Sequence, residues 1–139
     1  MATQTLTEAS TSKTVDANGF KLHYNEAGSG DPVIFVHGGG PGASGWSNFV
    51  RNIGPLSENH RVILVDMPGF NKSDPVVIGS DTDRLHVNGK IFVDFLDALG
   101  IEKATVVGNT MGGGSSAVFS RALAAYRLRR SAPSMMNTR

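Results

Sequence analysis

Cysteine is absent from the 139 residues. That excludes a disulfide framework, a zinc knuckle, a thiol nucleophile and a redox pair. No apolar run approaches the roughly 18 residues that a membrane span requires. Charge of either sign is not in excess, since 13 Lys+Arg oppose 12 Asp+Glu for a formal net charge of +1. Such a balance argues against nucleic acid or an anionic membrane surface as the partner. Residues 1–14 lack both an apolar stretch and an arginine, so neither a secretory signal nor a transit peptide is expected and the location is read as cytoplasmic. The length suits one domain with a core of its own.

The small net charge hides an uneven distribution. Residues 1–110 carry eight basic and twelve acidic groups, whereas residues 111–139 carry five arginines and no acid. The last acidic residue is Glu102, and the four histidines, His23, His37, His60 and His86, all precede it.

Residues 1–13 are rich in Ser and Thr and are expected to fray. An Asn18-Gly19 turn between residues 14–17 and 20–25 reads as a β-hairpin, with Leu22 and Tyr24 alternating with polar neighbours. Short apolar runs at 33–36, 62–65 and 104–107 read as buried parallel strands. Between them, Trp46, Phe49, Val50 and Ile53 recur at helical spacing, with Gly54-Pro55 as the expected stop. Leu85, Asn88, Phe92, Phe95, Leu96 and Leu99 share one face of a second helix that ends at Gly100. A further helix is expected over 111–126. Strands alternating with helices define an α/β fold with a mainly parallel sheet.

Two glycine-rich turns leave the carboxyl ends of these strands, where open α/β sheets place their sites. Each admits more than one reading. Glycine permits close strand-to-helix packing because it has no Cβ. Residues 40–45 also match the G-x-G-x-x-G dinucleotide pattern, with Asp66 at the end of the next strand as the ribose-binding acid. Alternatively, residues 37–40 (HGGG) offer backbone N–H groups to a developing oxyanion, and residues 108–112 (GNTMG) lie between strand and helix as a G-x-S-x-G nucleophile elbow does.

Four motifs in order, residues 37–43 (HGGGPGA), 45–48 (GWSN), 66–74 (DMPGFNKSD) and 108–113 (GNTMGG), resemble those of the meta-cleavage-product hydrolases. These are α/β-hydrolases that cleave a carbon–carbon bond in aromatic-ring breakdown. The resemblance extends over about residues 11–114. It implies an α/β-hydrolase fold with an N-terminal hairpin. The implied substrate is a 2-hydroxy-6-oxohexa-2,4-dienoate, split by water to 2-hydroxypenta-2,4-dienoate and a carboxylic acid without cofactor or metal. Carried over by position, Thr110 holds the nucleophile's place. Gly40 and Met111 supply oxyanion N–H groups, and Gly39, Gly40, Asn48 and Asn109 bind substrate. His37 is not the family's catalytic histidine; fixing the glycine loop is its expected role.

Two departures from the pattern qualify the activity. Thr110 replaces the family's serine. A threonine hydroxyl is chemically competent, but a β-branched residue is disfavoured at the positive φ of an elbow. In chain order the triad runs nucleophile, acid, histidine, and residues 111–139 contain no Asp, Glu or His. Activity of this chain is therefore expected to be impaired or absent, since neither His86 nor Asp66 is an obvious substitute. The chain divides into a flexible start (1–13), the first half of a hydrolase domain (14–114) and a basic tail (115–139), the tail being expected from a shifted frame or an early stop. A dinucleotide-binding module and a non-catalytic interaction fragment are the competing classes. Family strand order leaves strand 104–107 at a sheet edge, so self-association through that edge is also expected.

Overall fold

The structure is a computed structural model and describes residues 5–77 and 79–109. Expectations placed on Thr110, Met111, the 111–126 helix and the 115–139 tail lie outside the described residues.

Asn18 and Gly19 both take positive φ, 56° and 90°. This is the two-residue turn whose twist matches a hairpin. It joins β1 (Ser12–Ala17) to β2 (Phe20–Ala27) in antiparallel register, with Val15 opposite Leu22. Strand β2 continues the sheet by antiparallel pairing with β4 (Arg61–Val65). Strand β4 runs parallel to β3 (Pro32–Val36), which runs parallel to β5 (Thr105–Gly108). The five strands lie in the order β1-β2-β4-β3-β5.

The runs VIFV and VILV are apolar throughout because both sheet faces are covered. On one face Leu22, Tyr24, Ile34, Val36, Ile63 and Val65 pack with Phe92, Phe95 and Leu96 of α3 (Arg84–Leu99). On the other, Phe35, Val62 and Leu64 pack with Phe49 and Ile53 of α2 (Gly45–Leu56). Each such fully buried side chain contributes about 1.5–3 kcal/mol relative to exposure. Helix α3 starts at the Asp83 cap, whose carboxylate accepts from the Leu85 N–H, and ends at left-handed Gly100.

Three expectations change. The Ser/Thr-rich start is ordered from α1 (Glu8–Thr11) onward, with Thr7 and Ser10 capping each other reciprocally. Buried Asn25 holds this turn by donating to Glu8 O and Thr11 Oγ1. Helix α2 does not stop at Gly54-Pro55 but continues to Leu56. Proline at 55 removes one N–H from the helix, and Ser57 N–H still closes on Ile53 O beyond it. The non-helical residue is instead Phe49, at φ −126° and ψ 17°, where α2 kinks. Strand β5 lies one residue later than its apolar run. As expected, among the described residues β5 pairs only with β3 and forms an edge.

Candidate active site

Strand β3 delivers the chain into the glycine loop through His37, which is fully buried. Its Nδ1 donates to Gly38 O at 2.6 Å and its Nε2 accepts the Met67 N–H at 2.9 Å. Both ring nitrogens are thus committed to backbone groups, which fixes a neutral imidazole protonated on Nδ1. Burial also pushes the His37 pKa below its usual value. The ring ties the loop after β3 to the turn after β4, in the role expected of it.

The loop is held from its other side by Asn48, in the first half of α2. Its Oδ1 accepts from the Gly38 N–H at 3.1 Å and from Asn109 Nδ2 at 3.1 Å. Asn109 leaves β5 with its own N–H on Val36 O. One amide oxygen therefore joins the glycine loop, helix α2 and the exit of β5. Gly39 and Gly40 project beyond this brace and are exposed. Gly40 O closes a turn with the Ala43 N–H. Among the described residues, nothing crowds the place where a Gly40 side chain would be. Of the residues expected to act on substrate, the fold brings Gly39, Gly40, Asn48 and Asn109 to the carboxyl ends of β3 and β5. Asn48 and Asn109 bond each other there.

Beneath the loop lies a support that sequence reasoning did not assign. Asp66 is fully buried, and its Oδ1 accepts the Gly45 N–H at 2.8 Å. Its Oδ2 accepts from His23 Nδ1 at 2.7 Å and Asn71 Nδ2 at 2.8 Å. Fully buried and already accepting three hydrogen bonds, the carboxylate presents no surface to a ribose hydroxyl, and the dinucleotide role considered for Asp66 finds no support. The glycines of residues 40–45 have another explanation at their end: a Cβ on Gly45 would stand 2.7 Å from the Leu64 carbonyl carbon. Ser44 caps the helix reciprocally with Ser47 at this close approach.

Met67-Pro68-Gly69-Phe70 forms a tight turn, with Phe70 N–H on Met67 O and Gly69 at φ 85°, as Pro followed by Gly favours. Ser73 Oγ donates to Asp66 O and accepts the His23 N–H. Asp74 is clipped to Lys21 through both its N–H and its carboxylate. Arg84 donates to Pro68 O and lies over the Phe70 ring. The DMPGFNKSD segment therefore braces the floor of the site. The signal for this was the polar pair His23 and Asn25 in β2, which alternation alone does not mark as buried. His86 is exposed and pairs with Asp83, so it offers no base to the site.

A glycine loop after one parallel strand, with Gly39 and Gly40 exposed and Gly38 braced against the exit of the neighbouring strand, stands where open α/β sheets place their sites. The model of the α/β-hydrolase fold family matches residues 31–122, and the chain belongs to that family. Among its relatives, a 2-hydroxy-6-oxo-6-phenylhexa-2,4-dienoate hydrolase of Comamonas testosteroni is 54% identical over 121 residues, 83% of this chain and 42% of that protein. A 2-hydroxy-6-oxononadienedioate/2-hydroxy-6-oxononatrienedioate hydrolase of the same species is 52% identical, with the same coverage. The meta-cleavage product hydrolase of Pseudomonas fluorescens IP01 superposes with a TM-score of 0.70 at 37% identity, over 78% of this chain and 39% of that one. An epoxide hydrolase from Vigna radiata also superposes, with a TM-score of 0.69 at 25% identity, over 78% of this chain and 33% of that one. The chain spans about two-fifths of the length of the curated relatives it matches.

Proposed function

We propose that these residues form the oxyanion-binding and nucleophile-bearing part of a carbon–carbon hydrolase. Its substrate is a 2-hydroxy-6-oxohexa-2,4-dienoate, and water cleaves it to 2-hydroxypenta-2,4-dienoate and a carboxylate. The observation that carries this reading is the Asn48 amide oxygen, which fixes the Gly38 N–H and Asn109 together and leaves Gly39 and Gly40 to face a ligand. The relatives named for dienoate and dienedioate hydrolysis support the substrate class. Fold alone does not, because the same fold carries epoxide hydrolysis.

In this reading the Gly40 and Met111 N–H groups receive the oxyanion that develops on the C6 ketone oxygen. Asn48 and Asn109 orient the dienoate end, and Thr110 occupies the nucleophile's position. Its hydroxyl requires a base to act at neutral pH. Residues 111–139 contain neither histidine nor carboxylate, so that base is not among them.

Titration of the chain with 2-hydroxy-6-oxo-6-phenylhexa-2,4-dienoate tests the reading through the dienolate absorbance and a thermal shift. A saturable response is expected, with Asn48→Ala binding roughly tenfold more weakly through loss of the shared acceptor. A thermal shift with a dinucleotide and none with the dienoate would overturn it.

A further inference from the structure

At the opposite edge of the sheet from β5, the hairpin carries a second constellation. Ser12 Oγ lies 2.6 Å from His23 Nε2, and His23 Nδ1 lies 2.7 Å from Asp66 Oδ2. Ser12 and His23 share one face of the hairpin because Ser12 opposes Asn25 and Thr14 opposes His23. His23 is 1% exposed and Asp66 is fully buried, whereas Ser12 is exposed. Ser12 therefore stands at the outer end of a series whose inner members are shielded, joined to it by a part-buried hydrogen bond. Asp66 is aimed by the Gly45 N–H and Asn71, and His23 is anchored by its own N–H on Ser73 Oγ. Hydroxyl, imidazole and carboxylate stand in hydrogen-bond series, the arrangement in which an imidazole activates a weak nucleophile.

We propose that Ser12 is an activated nucleophile that accepts acyl groups from activated esters, at a site independent of the dienoate reading. Asp66 holds the Nδ1–H of His23, so Nε2 is the free base facing Ser12. As Oγ bonds to the ester carbonyl carbon, its proton passes to Nε2. The bond from that carbon to the leaving aryl oxygen breaks, and the departing phenolate takes the proton back from Nε2. The products are O-acyl-Ser12 and a phenol, with His23 neutral as before. Asp66 acts as a positioning residue whose carboxylate stabilises the transient imidazolium.

The test treats the full chain with p-nitrophenyl acetate and maps acetylated peptides by mass spectrometry. Acetylation at Ser12 is expected at least tenfold faster than at exposed Ser29, and Ser12→Ala abolishes it. A second measurement leaves the buried groups intact and exploits the absence of native cysteine. The variants S12C and S29C each carry one thiol, and His23 promotes thiolate formation only at position 12. Iodoacetamide should therefore alkylate S12C about tenfold faster at neutral pH. Acetylation spread evenly over exposed serines, or equal alkylation of the two thiols, would overturn the proposal.

Discussion

Two buried side chains decide how firmly the candidate site is held. Burial keeps the folded-state pKa of His37 beneath its ordinary 6.5. On acidification the unfolded chain therefore takes up its proton first, and folding loses stability. The contribution of neutral His37 is full above pH 6.5 and is lost as the pH falls further. Thermal melts at pH 7.5, 6.5 and 5.5 should show a falling Tm. His37→Gln keeps a donor and an acceptor but no titration, and should flatten that slope; an unchanged slope would remove His37 from the explanation. Asp66 is the more costly residue to lose. Asp66→Ala strands the Gly45 N–H and His23 Nδ1 in the interior and frees exposed Asn71 Nδ2 to water. A loss of about 3–5 kcal/mol is expected in urea denaturation. The Glu26 carboxylate is a milder case. Burial alone would raise its pKa, but hydrogen bonds from Lys13 and Arg61 outweigh burial and hold it below the usual value. Its contribution is full above its ordinary 4.5 and begins to fall only below that.

Among the elements, helix α2 connects packing to the site. Its first residue, Gly45, lies directly against the β4 backbone, and Asn48 in the same stretch fixes the glycine loop. Gly45→Ala should push the start of the helix outward. The expected cost is about 1–3 kcal/mol, together with weaker dienoate binding. Full stability with unchanged binding would show that the contact can relax locally. The element pattern was largely legible beforehand, because runs such as VIFV and VILV and the Asn-Gly turn have few alternatives. Other features depended on tertiary context. Pro55 reads locally as a stop, yet the helix runs through it and closes beyond it on Ile53 O. His23 and Asn25 read as the polar side of a two-faced strand, yet α1 and α2 cover them. The substrate roles proposed for Asn48 and Asn109 came only through resemblance. Their meeting point was not visible beforehand, since the amide oxygen of Asn48 joins residues 61 positions apart.

For the molecule as a whole, the asymmetry of the sheet is the dominant property. One edge is β1 of the hairpin, where charge gathers as Lys13 and Arg61 flank Glu26. At the other, among the described residues, β5 presents a strand with one paired side and a Val107 that is 38% exposed. Edges of this kind recruit further strands. Concentration-dependent self-association is expected in sedimentation velocity, and Val107→Lys should weaken it. A monodisperse monomer at high concentration would contradict this.

The strand order also dictates a sequence of events during synthesis. The hairpin is made first and can close by itself through its local turn, but its docking partner is β4, made only after β3 and α2. Until Arg61–Val65 leaves the ribosome, β2 has an open side, and His23 waits for an acceptor 43 positions downstream. The nascent chain thus carries a preformed two-stranded ribbon through a period without a dock. In that interval the Lys13–Glu26 pair and the polar face of β2 disfavour capture of the wrong neighbour.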